Sequence, residues 1–178
     1  KRNARKEVFS WVRMFATVIV VVFVLTHFII INAKVPSGSM ENTIMTHDRL
    51  IGFRFAYWFD EPQRGDIILF EYPVDEKQTY IKRVIGLPGE TVQIKKGKVY
   101  INGKKLKSDI YGITKYIDEP GIAEEPLELG KDEYFCLGDN RPVSYDSRYE
   151  EVGPVHRSEI IGKVWIRIWP LTKFGKVS

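Results

Sequence analysis

The stretches "DIILFEY" (Asp66 to Tyr72) and "YIKRVIG" (Tyr80 to Gly86) decide the fold class of this chain. Both are rich in Ile, Val, Phe and Tyr and are bounded by Gly or Pro, which is typical of β-strands. Similar segments follow at 90–103, 133–138 and 162–170. Their two-residue period predicts a mainly β fold built from antiparallel strands.

One part of the chain is predicted to leave the main sheet. "TVQIKKGKVYI" has the pattern of a hairpin that turns near Lys96 and Gly97. Residues 104–130 are then richer in charge, Gly and Pro and show no clear period. We therefore expect a β-hairpin excursion over approximately residues 90–132.

The N-terminal region contains "MFATVIVVVFVLTHFIIINA", a run of 20 residues from Met14 to Ala33 without a formal charge. As a helix rising about 1.5 Å per residue, it would reach roughly 30 Å, the thickness of a bilayer core. The run exceeds the apolar core of a cleaved secretory signal, and no A-x-A-like site follows it. We therefore expect a single retained transmembrane helix.

Charge is concentrated at the same end of the chain. Residues 1–34 hold six basic residues and one acidic residue, mostly ahead of the apolar run. The positive-inside rule then predicts a cytoplasmic flank and membrane anchor over 1–34 and an extracytoplasmic domain over 35–178. The formal net charge is +4, so residues 35–178 are nearly neutral, which argues against a nucleic-acid partner.

Two further compositional features bear on function. The lone cysteine, Cys136, cannot form an intrachain disulfide, and its apolar surroundings in "EYFCLG" indicate a core residue rather than a reactive thiol. Large aromatics are frequent in "GFRFAYWF" (Gly52 to Phe59) and at Trp165 and Trp169. They fit either core packing or an interfacial belt on a lipid surface.

The segment "KVPSGSM", Lys34 to Met40, places two serines directly after the apolar run. A serine hydroxyl becomes a useful nucleophile only when a neighbouring base removes its proton. His47 and His156 stand in no recognisable triad motif, although triads vary in residue order. Lys82 is the alternative base, because strand alternation gives it Tyr80 and Val84 as apolar flanks, and burial lowers the pKa of a lysine.

A second polar segment, "LGDNRPVSYDSR" from Leu137 to Arg148, follows a strand that is predicted to be buried. It is either an ordinary polar loop or a network of hydrogen bonds and ion pairs. In the second case, Asp146 and Arg148 are spaced to pair, and Ser144 is available to orient a catalytic amine.

Four motifs in order, "PSGSM", "RGDIILF", "YIKRVIGLPGE" and "LGDNRPVSYDSR", follow the predicted anchor. Together they resemble the characteristic boxes of the type I signal peptidases, in their small single-span form. These are membrane-anchored Ser/Lys leader peptidases that remove signal peptides from exported preproteins. The resemblance covers about residues 10–165 and implies a membrane protein, of a bacterial cell or of an organelle.

The resemblance also implies a role for each matching residue. Ser39 would be the nucleophile and Lys82 the general base, while the Ser37 hydroxyl and the backbone N–H of Ser39 would form an oxyanion hole. Ser144 would hydrogen-bond the Lys82 amine. Supporting and substrate-binding positions are also implied: Asp139, Asp146 and Arg148 would hold the loop, and Val35, Pro36, Tyr80 and Ile81 would line shallow pockets for small side chains at −1 and −3.

The chain departs from the family pattern in two places. Asn42 stands where the family has a proline after the nucleophile, and Pro142 and Val143 replace the usual Asp-Asn. Both changes affect loop geometry and substrate preference more than the proposed catalytic atoms.

Two rival interpretations remain at this point. A self-cleaving Ser/Lys repressor would need a DNA-binding N-terminus, where this chain has an apolar run. A membrane-tethered β domain without catalysis would bind extended peptides but leave them intact. The Ser/Lys interpretation requires no metal or cofactor, so we expect activity to be insensitive to chelators.

Overall fold

The computed structural model describes residues 2–109, 111 and 116–177 of the chain. Helix α1 spans Arg2–Val24 and continues into a wider π-helical turn at Leu25–Ile29. The segment Ala4–Ile29 is long and apolar enough to cross a membrane, and its side chains are not buried against the rest of the described chain. A core helix of a soluble protein would bury such a surface.

The predicted helix ends earlier than the apolar run. Residues Ile30–Lys34 form strand β1, which pairs antiparallel with β2, Arg49–Phe53. The expectation of helix through Ala33 is therefore wrong over the last residues of the run. β-Branched side chains favour the extended conformation when a partner strand is available, and β2 supplies one.

The larger sheet confirms the prediction of a mainly antiparallel β fold. Its strand order is β1-β2-β11-β3-β4-β9-β10, and β12 pairs with β11. The remaining strands of this sheet are β3 (Ile67–Tyr72), β4 (Asp75–Gly86), β9 (Glu133–Leu137), β10 (Val155–His156), β11 (Ile160–Trp169) and β12 (Gly175–Lys176).

A smaller sheet has the order β7-β6-β5-β8. Its strands are β5 (Thr91–Lys95), β6 (Lys98–Ile101), β7 (Lys104–Lys105) and β8 (Leu127–Glu128). The hairpin β5–β6 turns at Lys96 and Gly97, both with positive φ, as the sequence predicts. This sheet lies within the range expected for the excursion.

Three clusters of buried side chains form the core, and one of them holds the two sheets together. One joins the small sheet to β9 and includes Ile85, Val92 and Phe135. Another lies under β3 and β4 and includes Phe70, Val84 and Cys136. The third contains Val35, Met40 and Leu69 and forms the floor beneath the serine segment.

The aromatic residues separate into two environments. Tyr57 is buried, whereas Trp58, Phe59, Trp165 and Trp169 are exposed. The core-packing explanation is therefore wrong for these four side chains. The Phe53 ring lies 4.9 Å from the Trp165 ring, centroid to centroid, in a tilted arrangement, and it contacts the Phe55 ring at the same distance.

Candidate active site

The serine segment is a compact turn held at both ends. The turn itself runs from Val35 to Met40, because Lys34 ends β1. The Val35 carbonyl accepts from the His47 N–H at 2.8 Å, and the Val35 N–H donates to the Asp48 carbonyl at 3.0 Å. Met40 and Ile44 are fully buried beneath it. These contacts fix the backbone on either side of Ser39, so its hydroxyl is presented from a rigid turn.

Lys82 lies on β4 directly opposite Ile68 of β3. Its side chain is almost fully buried, and its Nζ lies 2.8 Å from the Ser39 Oγ. Burial is the main cause that lowers the pKa of Lys82 from 10.5 to about 8, against an opposing contribution from the Asp146 carboxylate. A substantial fraction of this amine is therefore neutral at mildly alkaline pH.

Ser37 lies beside the nucleophile candidate. Its hydroxyl donates to the Ser39 Oγ over 3.4 Å. The position of Ser37 at the mouth of the turn is compatible with a donor to an oxygen that develops charge next to Ser39.

The segment after β9 folds tightly against the serine turn. The Asn140 N–H donates to the Ser39 carbonyl at 2.9 Å, and the Asn140 side chain donates to the Gly38 carbonyl at 3.0 Å. A Cβ at Gly138 would lie 2.1 Å from the Ser144 Oγ and 2.5 Å from the Ser39 carbonyl oxygen. Only glycine fits at this position, because the two segments are in van der Waals contact there.

Asp146 and Arg148 pair as the sequence predicts. The Arg148 Nε donates to Asp146 at 2.8 Å, and both side chains are buried. Arg148 also donates to the Ser144 carbonyl at 3.0 Å, while Asp146 accepts from the Gly138 N–H at 3.0 Å. The pair therefore cross-links the two ends of the loop.

Ser144 is where the structure differs from the expectation. Its Oγ is buried and has no hydrogen-bond partner among the described residues. The hydrogen bond from Ser144 to the Lys82 amine is thus not formed in this structure, since the Ser144 hydroxyl lies against Gly138 instead. Among the described residues, the Lys82 amine makes one side-chain hydrogen bond, and its partner is Ser39.

Asp139 has partners that the sequence analysis did not identify. Arg83, fully buried, donates to both Asp139 oxygens at 2.9 and 2.7 Å. Thr43 donates to the same carboxylate at 2.5 Å. The sequence offered one signal, since Arg83 shares a face of the predicted strand with the apolar residues Ile81 and Ile85. It could not show that Arg83 and Asp139 meet.

A groove of about 620 Å³ opens beside Ser39 and Lys82. Ser37, Ser39 and Lys82 line it. All four predicted substrate-binding residues line it as well, namely Val35, Pro36, Tyr80 and Ile81. Val143, one of the departures from the family pattern, also lines the groove and is exposed.

Other candidate groups have different environments. Cys136 is buried, and burial raises the pKa of its thiol, which disfavours a thiolate. His156 is exposed and its ring contacts the Ser158 hydroxyl at 2.7 Å, where it caps a short helical turn. This capping contact gives His156 a structural role at the surface.

The family described as "Signal peptidase, peptidase S26" matches residues 8–169. The chain belongs to the signal peptidase family. Signal peptidase IB of Staphylococcus aureus strain COL is 31% identical over 96% of this chain and 94% of its own length. Signal peptidase I of Leptolyngbya laminosa is 41% identical over 81% of this chain and 71% of its own length.

Two further bacterial proteins are similar to this chain. "Probable signal peptidase I-2" of Synechocystis is 39% identical, and the match spans 81% of this chain and 65% of that protein's length. A crystal structure of signal peptidase I from Enterococcus faecalis V583 is 38% identical and covers 58% of this chain and 97% of its own, with a TM-score of 0.48. Members of the signal peptidase family are therefore found in several bacteria.

Proposed function

We propose that this protein is a membrane-anchored serine endopeptidase that removes N-terminal signal peptides from exported preproteins. Ser39 is the nucleophile in this proposal and Lys82 is its general base. The observation that carries it is the 2.8 Å contact between the Lys82 Nζ and the Ser39 Oγ in a buried setting. Membership of the signal peptidase family supports the same reaction.

The first step begins with a neutral Lys82 amine. The Ser39 hydroxyl donates to this amine, loses its proton to it, and attacks the carbonyl carbon of the scissile bond. The developing oxyanion is stabilised by the Ser37 hydroxyl and the Ser39 N–H. Protonated Lys82 then supplies a proton to the leaving amine, and an acyl-enzyme remains on Ser39.

The second step uses the same base again. Lys82, neutral after its proton has gone to the leaving group, takes a proton from water as the water attacks the acyl-enzyme. The ester bond to Ser39 breaks as Lys82 returns this proton to the Ser39 Oγ, and the cleaved signal peptide leaves with a new carboxylate. Asp146 and Arg148 take no part in proton transfer, because their role is to hold the loop beside the dyad.

The substrate is proposed to bind as an extended strand in the groove beside β1 and β4. Backbone hydrogen bonds of the β-augmentation type give affinity there, and side-chain pockets give selectivity. The apolar residues Val35 and Ile81 favour small side chains at −1 and −3, which matches an Ala-x-Ala cleavage site.

The membrane has a role in this proposal too. Ala4–Ile29 crosses the bilayer with the basic N-terminal flank in the cytoplasm. Strand β1 follows at once, so the dyad lies close to the outer surface, where a cleavage site emerges beyond a substrate's own apolar segment. Exposed Trp58, Phe59 and Trp165 suit a polar–apolar interface.

The proposal is tested with a detergent-solubilised preprotein that carries an Ala-x-Ala site. The native chain should cut after the second alanine, and Ser39→Ala and Lys82→Ala should each lose at least about a thousandfold in kcat/KM. Lys95→Ala, at an exposed position of β5, is the matched control and should keep the native rate. Activity should survive chelators, since the proton transfers run between serine, lysine and water.

The alternative of a catalytically inactive peptide-binding β domain makes a different prediction. In that case the native chain would bind the preprotein and leave it intact. Such a result would point to Asn42, Pro142 and Val143 as the cause of lost cleavage, since the chain departs from the family pattern there.

A further inference from the structure

The small sheet reaches back toward the dyad through the segment that follows β7. Asp109, near the start of this segment, forms a two-point ion pair with Arg141, with distances of 2.6 and 3.1 Å. The side-chain exposures are 2% for Arg141 and 14% for Asp109. A bidentate pair with this little solvent contact restrains both residues strongly.

Arg141 connects this ion pair to the turn beside the nucleophile. Its Nε donates to the Gly138 carbonyl at 2.8 Å, while its own carbonyl accepts from Arg148 at 2.8 Å. Between these two points lies Asn140, whose backbone and side chain donate to the carbonyls of Ser39 and Gly38. A shift of Arg141 would therefore shift the groups that hold the Ser39 backbone.

Two more contacts from the same part of the excursion end on charged residues near the dyad. The Tyr111 ring lies 3.6 Å from the guanidinium carbon of Arg83, the neighbour of Lys82. The Glu119 carbonyl accepts from Arg148 at 3.2 Å. The excursion thus contacts each arginine that organises the site, and Asp109 provides the ionic contact.

We propose that Asp109 is a positioning residue for the cleavage reaction, acting through Arg141 to hold the 138–141 turn against Ser39. This inference rests on the proposed proteolytic function. Through Asp109, the excursion would contribute to the cleavage reaction. Asp109 touches neither the substrate groove nor the dyad, so its effect should appear in the chemical step rather than in substrate binding.

The test compares kcat and KM of Asp109→Asn with those of the native chain in the same detergent. Asparagine keeps the size of aspartate but replaces one acceptor with an NH₂ group that faces Arg141. We expect kcat to fall about 10- to 100-fold through misplacement of Ser39, with KM changed by less than about twofold. Asp109→Glu should recover much of the rate, and exposed Ser108→Ala should match the native chain.

A second readout separates positioning from simple loss of folded protein. If the 138–141 turn loosens, water reaches Lys82 and its pKa rises toward the ordinary value, so the midpoint of the pH–rate profile should move upward. A loss of folded molecules would lower the rate without moving this midpoint. Should Asp109→Asn fold poorly, Arg141→Lys provides the same comparison, because it keeps the charge and loses the two-point geometry.

The possible outcomes are distinct. Native kcat and an unmoved midpoint in Asp109→Asn and Arg141→Lys, while the native chain cleaves the preprotein, would overturn the role of Asp109 and leave the proposed function intact. A native chain that cannot cleave the preprotein would overturn the proposed function first, and the positioning role with it.

Discussion

Adjacent residues on β4 show how environment sets protonation. Lys82 and Arg83 are both buried, but they point to opposite faces of the strand. Arg83 forms an ion pair with the Asp139 carboxylate. Lys82 meets the Ser39 hydroxyl, and its lowered pKa means that its charged form is disfavoured in the folded protein.

The burial of the charged Lys82 amine lowers the free energy of unfolding at neutral pH. The pKa of Lys82 is about 8 in the folded state against 10.5 unfolded, so the unfolded chain binds more protons between these two pH values. Below pH 8 both states are protonated, and the penalty on folding has its full size. The penalty fades as pH rises from 8 to 10.5. We expect Lys82→Met to raise the free energy of unfolding by about 3 kcal/mol at pH 7, measured by urea unfolding in detergent.

Exposed Lys95→Met serves as the control and should change stability by less than about 0.5 kcal/mol. The advantage of Lys82→Met over the native chain should shrink at alkaline pH. A Lys82→Met protein that is less stable than the native chain at pH 7 would show that the amine is not penalised by burial.

At the scale of elements, a buried ion pair joins β4 to the segment that follows β9. Asp139 follows β9, Arg83 lies on β4, and Thr43 lies three residues after the serine turn, so one carboxylate links three segments. This arrangement stabilises the fold only while the Arg83 guanidinium and the Asp139 carboxylate are paired, because a lone buried charge is strongly unfavourable.

Removal of one partner should therefore be costly. We expect Asp139→Ala to lose about 3–5 kcal/mol of stability, since it leaves the Arg83 guanidinium buried without its carboxylate. The double variant Arg83→Met with Asp139→Ala should lose less than the single change. Asp132→Ala is the matched control, because its ion pair with Lys131 is exposed and should contribute less than about 1 kcal/mol.

A loss below about 1 kcal/mol for Asp139→Ala would mean that the three segments are held by other contacts. Denaturant midpoints of the four proteins, compared at one pH and one detergent concentration, decide between these results.

At the scale of the whole molecule, the apolar helix α1 runs directly into the sheet. The turn at Leu25–Ile29 is followed by β1, and β1 pairs with β2 along its length. The serine turn begins one residue after β1 ends at Lys34. The apolar helix, the sheet edge and the turn that carries Ser39 therefore form one continuous structure.

The sequence predicted the local features of this structure well. Strand periods, the hairpin at Lys96 and the apolar flank of Lys82 all follow from side-chain alternation, which is a local property. Strand β1 was missed because Ile30 and Ile31 continue an apolar run, and only the pairing with β2 makes them extended. The Arg83–Asp139 and Asp109–Arg141 pairs join residues 56 and 32 positions apart, and such contacts depend on the tertiary fold.

The measurement that tests the central claim most directly is the pH dependence of kcat/KM for cleavage of a preprotein in proteoliposomes. This quantity reports the ionisation of the free enzyme. If neutral Lys82 activates Ser39, kcat/KM should rise with pH and level off, with a midpoint near 8. A flat profile, or a midpoint near about 6.5 as for a histidine base, would contradict the Ser39–Lys82 mechanism.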